Sequence, residues 1–203
     1  MKITCNVIRG GEIESRHNVY AVAINEDGNI ILSSGDPALI TCIRSALKPF
    51  QASAAIVEGA TREAGFTSEE IALMCASHNG EEIHVKIAMR MAKKLGVDLS
   101  HYECGSHAPY DKETRESARK LNTIFTPFHN NCSGKHSGML SLAKKLKANP
   151  CGYTKANHPV QQSIFKQLNK LTGYNHFPYG IDGCSAPTPF FSLRTIAKLF
   201  QKL

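Results

Sequence analysis

The order of patterns along the 203-residue chain predicts an α+β protein. An antiparallel strand meander is expected over about residues 1–44 and a mainly helical region over about 45–203, in a single domain. Three observations carry this. Short apolar runs near the N-terminus are separated by glycine turns; from about residue 80 apolar residues recur at helical spacing; and no repeat, low-complexity tract or long linker divides the chain.

The elements follow in order. Residues 2–9 read as a strand that turns at Gly10 and Gly11. Residues 17–25 and 29–34 read as two strands joined through Asp27 and Gly28, a strong hairpin signal. Residues 38–60 pass from a short extended piece into an alanine-rich helix. Thr67 and Glu70 have capping-box spacing, and an apolar stretch then leads to Ser77, where a strand-to-helix turn is expected. Ile83, Ile87, Met91 and Leu95 lie on one helical face that stops at Gly96. Further helices are expected from about 133 to before Asn149, from Pro159 to Gly173, and at the amphipathic C-terminal end. A sheet of only three strands would leave edges to be paired or covered.

Apolar residues at 42% and charged residues at 20% are those of an ordinary globular protein. No apolar run approaches the roughly 18 residues of a membrane span, so no membrane association is expected. The N-terminus lacks a signal-peptide layout, and the seven cysteines contain no CxxC pair. They read as reduced thiols of a cytoplasmic protein. The net charge of +7 is uneven: residues 1–100 carry −2 and residues 101–203 carry +9. After Glu116 the only carboxylate side chain is Asp182. A polyanionic partner, an anionic substrate or a missing acidic neighbour would each account for this. Nucleic acid is the least suited, because the basic residues lie on separate helices with no aromatic platform.

Four segments could carry chemistry. Ser45 and Lys48 form an SxxK pair at a strand-to-helix junction, with Pro49 fixing the first helical turn. A buried lysine three residues on can take the proton of a serine hydroxyl and make it a nucleophile. The same spacing occurs at Ser117, Ser141 and Ser163, but inside polar mid-helix patterns, and Ser45 also suits a helix cap. Residues 75–82 place Ser77, His78 and Asn79 at a turn, where polar side chains face a site or cap a helix. Residues 128–140 gather Cys132, Lys135 and His136 at a helix start between Gly134 and Gly138, which suits a nucleophile, a metal ligand or a redox-sensitive thiol. Residues 179–191 set Asp182 between glycines beside Cys184. Cys132, Cys184 and a third ligand would suffice for one zinc with a position open.

In this order, RSALKPFQ (44–51), ASHNGEE (76–82), HNNCSGKHSGML (129–140) and GIDGCSAPTPFFSLRT (180–195) resemble the asparaginase II family, the bacterial group related to the thermolabile Rhizobium-type enzyme. The resemblance covers essentially the whole chain. It implies a fold like that of serine β-lactamases and glutaminases, and hydrolysis of L-asparagine to L-aspartate and ammonia. It implies that Ser45 and Lys48 form one Ser–Lys pair, with Ser45 preferred as nucleophile, and that Ser77 is the serine of a second pair. Cys132, Lys135 and Cys184 match zinc-holding positions, and Arg44, His136 and Asp182 match positions around the substrate; His78 and Asn79 are expected there too. No organic cofactor is implied, and a homodimer is expected of a complete chain. Chains of the family run longer, and the further part carries a lysine for the second serine and later strands of the sheet. A C-terminally truncated domain is therefore expected, with Ser77 lacking a lysine partner. The alternative is an inactive remnant, or one piece of a split enzyme that needs a complementary chain.

Overall fold

A computed structural model describes residues 2–203 and shows an α+β architecture. Strand β1 (Ile3–Arg9) turns through Gly10 and Gly11, both with positive φ, and pairs antiparallel with β2 (Glu12–Val19). Strand β3 (Ala21–Ile24) pairs with β4 (Ile30–Ser34) across the Gly28 turn. The strand expected over 17–25 is thus two strands, broken at Tyr20. Two features explain the break. The Tyr20 ring lies against Gly35, where any Cβ would collide with it. Ser34 Oγ donates to Val19 O at 2.6 Å and accepts from Ile3 N–H at 2.9 Å, so a side chain joins the hairpins where a ladder would otherwise run.

The expected single meander is therefore two separate hairpins, and the short extended piece that follows them pairs elsewhere. Strand β5 (Ile40–Cys42) pairs with β7 (Pro187–Ser192), which also pairs with β6 (Tyr179–Ile181), in the order β5-β7-β6. Residues 45–203 accordingly include strands as well as helices. The β5–β7 ladder joins residues about 150 apart in sequence, so no local pattern announces it.

A single 3₁₀ turn, Arg44–Leu47, leads into α1 (Lys48–Val57), with Pro49 in its first turn. Helix α2 (Ala60–Glu63) is short. Helix α3 (Ser68–Cys75) begins with the reciprocal capping box of Thr67 and Glu70 and buries Leu73 and Met74. The apolar stretch before Ser77 is thus helical, and the turn at 76–81 joins two helices. Helix α4 (Glu82–Leu95) ends at Gly96, whose φ is +70°. Helix α5 (Lys112–Lys120) is capped by Asp111 and buries nothing.

Helix α6 (Ser133–Lys145) is the axis of the core, buried from Ser133 to Ala143. It packs on α1, α2, α3 and α4. Glycine makes the closest crossing possible: a Cβ at Gly134 would strike the Leu73 carbonyl, and one at Gly138 would lie 2.5 Å from Met74 Cε. Helix α7 (Pro159–Thr172) runs between Pro159 and Gly173, and α8 (Leu193–Gln201) starts at the Ser192 cap. Leu47, Phe50, Met74, Met91, Leu142, Ile164 and Leu168 form the dry centre. Among the described residues no helix is long and apolar enough to cross a membrane.

Candidate active site

The β5–β7 pairing brings the end of the first region against the turn at 182–188. Arg44 N–H donates to Thr188 Oγ1 at 3.2 Å, and the Arg44 guanidinium pairs with Asp182 Oδ1 at 2.8 Å. Arg44 and Ser185 both have positive φ, +51° and +68°. For non-glycine residues that conformation costs about 1–2 kcal/mol each. Arg44 lines a cleft of about 180 Å³, whose walls also include Ser45, His107, Tyr110, Asn131, Cys132, Asp182 and Cys184. A larger groove, about 800 Å³, runs between α4 and α5 and contains none of the chemical groups described below.

Lys48, the first residue of α1, is buried behind this cleft. Its Nζ donates to Ser77 Oγ at 2.7 Å, to Ala76 O at 2.8 Å and to Asn131 O at 3.0 Å. An ammonium has three protons, and here each has an acceptor. Burial holds the pKa of Lys48 below the ordinary lysine value; the Lys135 charge acts the same way, and the Cys132 thiol opposes it. After losing a proton, the amine can keep both carbonyl bonds and offer its lone pair to a hydroxyl. Lys48, the lysine of the Ser45 pair, is thus bonded to Ser77, the serine expected in a second pair. The reason is reach: α3 ends at Cys75 and delivers Ser77 to the tip of the Lys48 side chain. Among the described residues, no hydrogen bond joins Lys48 Nζ to the Ser45 hydroxyl; Lys48 N–H instead donates to Ser45 O.

The start of α6 carries the sulfur cluster. Lys135 Nζ donates to Cys184 Sγ at 2.9 Å. The Cys132 and Cys184 thiols shift in opposite directions: Cys132, with His136 and Lys135, holds Cys184 well below its usual range, while Cys184 and burial push Cys132 up. His136 is fully buried and is held neutral by burial, its pKa lowered to about 4. Its Nδ1 lies 2.6 Å from Tyr153 Oη; its Nε2 faces Cys184 without a hydrogen bond of good geometry.

Among the described residues no group of three His, Cys, Asp or Glu side chains is arranged to hold a metal. The convergent donors are two thiols and one amine: Cys132, Cys184 and Lys135. Sulfur and nitrogen donors suit zinc, and three of them leave the fourth tetrahedral position open. Lysine can serve only as the neutral amine.

His78 and Asn79 lie apart from the cleft. His78 is buried, and both of its nitrogens are in use. Nδ1 accepts from Gly80 N–H at 3.1 Å, which leaves Nε2 to donate to Ser133 Oγ at 2.8 Å. Burial lowers its pKa to about 3, so it braces the start of α6 as a neutral ring. Asn79 is exposed, and its carbonyl accepts from the amides of Tyr110 and Asp111. The sequence reading did not single out Asn131, His107 or Tyr153. Asn131 acts through its backbone carbonyl, which leaves no side-chain signature, though it lies inside the HNNC segment. His107 accepts from Asn131 N–H at 3.1 Å and so helps set that carbonyl.

The chain was compared with known proteins. No curated protein matches it. A family model described as L-asparaginase II matches residues 5–203, which takes in Arg44, Ser45, Lys48, Ser77, the sulfur cluster and Asp182. The chain belongs to the L-asparaginase II family.

Proposed function

We propose that the protein hydrolyses L-asparagine to L-aspartate and ammonia through a Ser–Lys acyl-enzyme. Family membership supports an amidohydrolase. The observation that carries the mechanism is Lys48: buried, held below the usual lysine pKa by that burial, and bonded to a serine hydroxyl at 2.7 Å. The Arg44–Asp182 pair on the cleft wall offers a cation and an anion to the α-carboxylate and α-ammonium of an amino acid. Ser45 stands beside them and attacks the side-chain amide carbon. Lys48 takes the Ser45 proton as substrate binding tightens their contact, and Ser77 passes a proton from Lys48 to the leaving nitrogen. Ammonia departs, and water cleaves the ester with the proton path reversed. Zinc on Cys132, Lys135 and Cys184 would supply a Lewis acid beside the cleft.

A second reading makes Ser77 the nucleophile, because among the described residues it is the hydroxyl bonded to Lys48. Ammonia release and labelling with a fluorophosphonate separate the readings. The first expects the label on Ser45, and a loss of roughly 10³-fold or more in Ser45→Ala and Lys48→Met. A label on Ser77 selects the second. A chain that binds L-aspartate yet releases no ammonia, with zinc supplied, is the remnant or split-enzyme case.

A further inference from the structure

Tyr153 and Glu103 lie outside every segment that pointed to chemistry, yet both reach the site. Tyr153 is fully buried. Its hydroxyl accepts from Glu103 N–H at 3.0 Å and lies 2.6 Å from His136 Nδ1. The amide can only donate, so the single hydroxyl proton goes to Nδ1. A neutral imidazole that accepts at Nδ1 carries its own proton on Nε2. The Nε2 atom is the buried one with no hydrogen-bond partner, and it faces Cys184.

The hydroxyl is itself held from two directions. The Glu103 carboxylate accepts from Gly152 N–H, from Thr154 N–H at 3.1 Å and from Thr154 Oγ1 at 2.5 Å. Glu103 thus grips the turn on both sides of Tyr153 while its own amide fixes the phenol oxygen. Four hydrogen bonds from one residue converge on the placement of a single hydroxyl.

We propose that Tyr153, clamped by Glu103, is a positioning residue that locks His136 in one tautomer, so that Nε2 presents an N–H to the Cys184 sulfur. His136 then acts as a donor at the edge of the sulfur cluster and not as a ligand in it. Any metal there keeps three protein ligands, Cys132, Lys135 and Cys184, and an open position. That consequence rests on the zinc reading above; the tautomer does not.

Nitrogen-15 spectra of the histidine rings in the whole chain at neutral pH test the proposal. The expected wild-type pattern for His136 is a protonated Nε2 and an unprotonated Nδ1. Tyr153→Phe is expected to lose this fixed pattern. Tyr102→Phe is the control, because it removes another buried phenol bond to the same helix, from Tyr102 to Ser137 Oγ at 2.7 Å, and is expected to leave the His136 signals in place. Zinc affinity, measured by chelator competition, is expected to fall about 10–100-fold in Tyr153→Phe and to hold in Tyr102→Phe. A wild-type His136 protonated at Nδ1 overturns the proposal. So does a Tyr153→Phe spectrum identical to wild type, or an equal change in both variants. Should Tyr153→Phe fail to fold, the wild-type spectrum still decides. A wild type that takes up no zinc ends the zinc reading, and the ring spectra then judge the tautomer alone.

Discussion

The two N-terminal hairpins and the helical core are built on opposite terms. In the core, α6 is buried along almost its whole length, and even its polar residues are enclosed and bonded: Ser133 to His78, Ser137 to Tyr102, His136 to Tyr153. In the hairpins most residues of β1 and β2 are exposed on both faces, and Ile31 of β4 is 67% accessible. The hairpins hold through backbone ladders and the Ser34 hydroxyl, the core through close packing around glycines. Stability should therefore reside in the helices, and the hairpins should open on their own.

The sharpest way to break this comparison is a pair of truncations. Leu142→Ala empties the core centre and is expected to lose about 2–5 kcal/mol. Ile8→Ala, on an exposed strand, is expected to stay within about 0.5 kcal/mol. Urea midpoints for both variants give the answer; similar losses would mean that the hairpins share the core's packing.

Next in size is Glu70. Its buried carboxylate bonds Arg90 at 2.8 Å, Lys94 at 2.7 Å and Thr67 N–H at 2.7 Å. Burial pushes its pKa up, but these partners outweigh it, and the net shift is downward. A carboxylate lowered on folding stabilises the protein above its unfolded pKa of about 4.3. That contribution is lost as pH falls through the lower folded value. Glu70→Gln should cost about 1.5–3 kcal/mol near neutrality and flatten the acid limb of a plot of urea midpoint against pH. An acid limb as steep as wild type would remove Glu70 from the core's account.

The smallest effect tests the hairpin junction. Ser34→Ala should cost about 1 kcal/mol. The loss should be local, seen as faster hydrogen exchange in β1–β4 with α6 unchanged. Equal acceleration in α6 would make the two regions one cooperative unit.

Much of this was legible in the sequence where the cause is local. Pro159 and Gly173 bound α7 as expected, Gly96 stops α4, and Thr67 and Glu70 form the expected capping box. The α+β class follows from such signals. What stayed hidden depends on residues distant in sequence. Strand β7 finds its partner β5 about 150 residues away. Lys48 meets Ser77 because α3 is helical, although its apolar run suits a strand equally well. Cys132 and Cys184 were readable as a pair of sulfur donors, but Lys135 as their companion was readable only through motif resemblance, since lysine belongs to no ordinary ligand pattern. His78 is a polar residue at a turn, and its two protein hydrogen bonds appear only in three dimensions.

The β5–β7 pairing also sets a timetable for synthesis. Arg44 is made early, whereas Asp182 and Cys184, which share its cleft, are made only near the end of this stretch. Domains gain structure as they leave the ribosome, and distant contacts close last. A nascent chain can build the Lys48–Ser77 contact and all of α6 while the cleft still lacks a wall. The cleft is thus completed only once the 182–188 turn has emerged, and a half-made chain lacks the wall that carries Asp182 and Cys184.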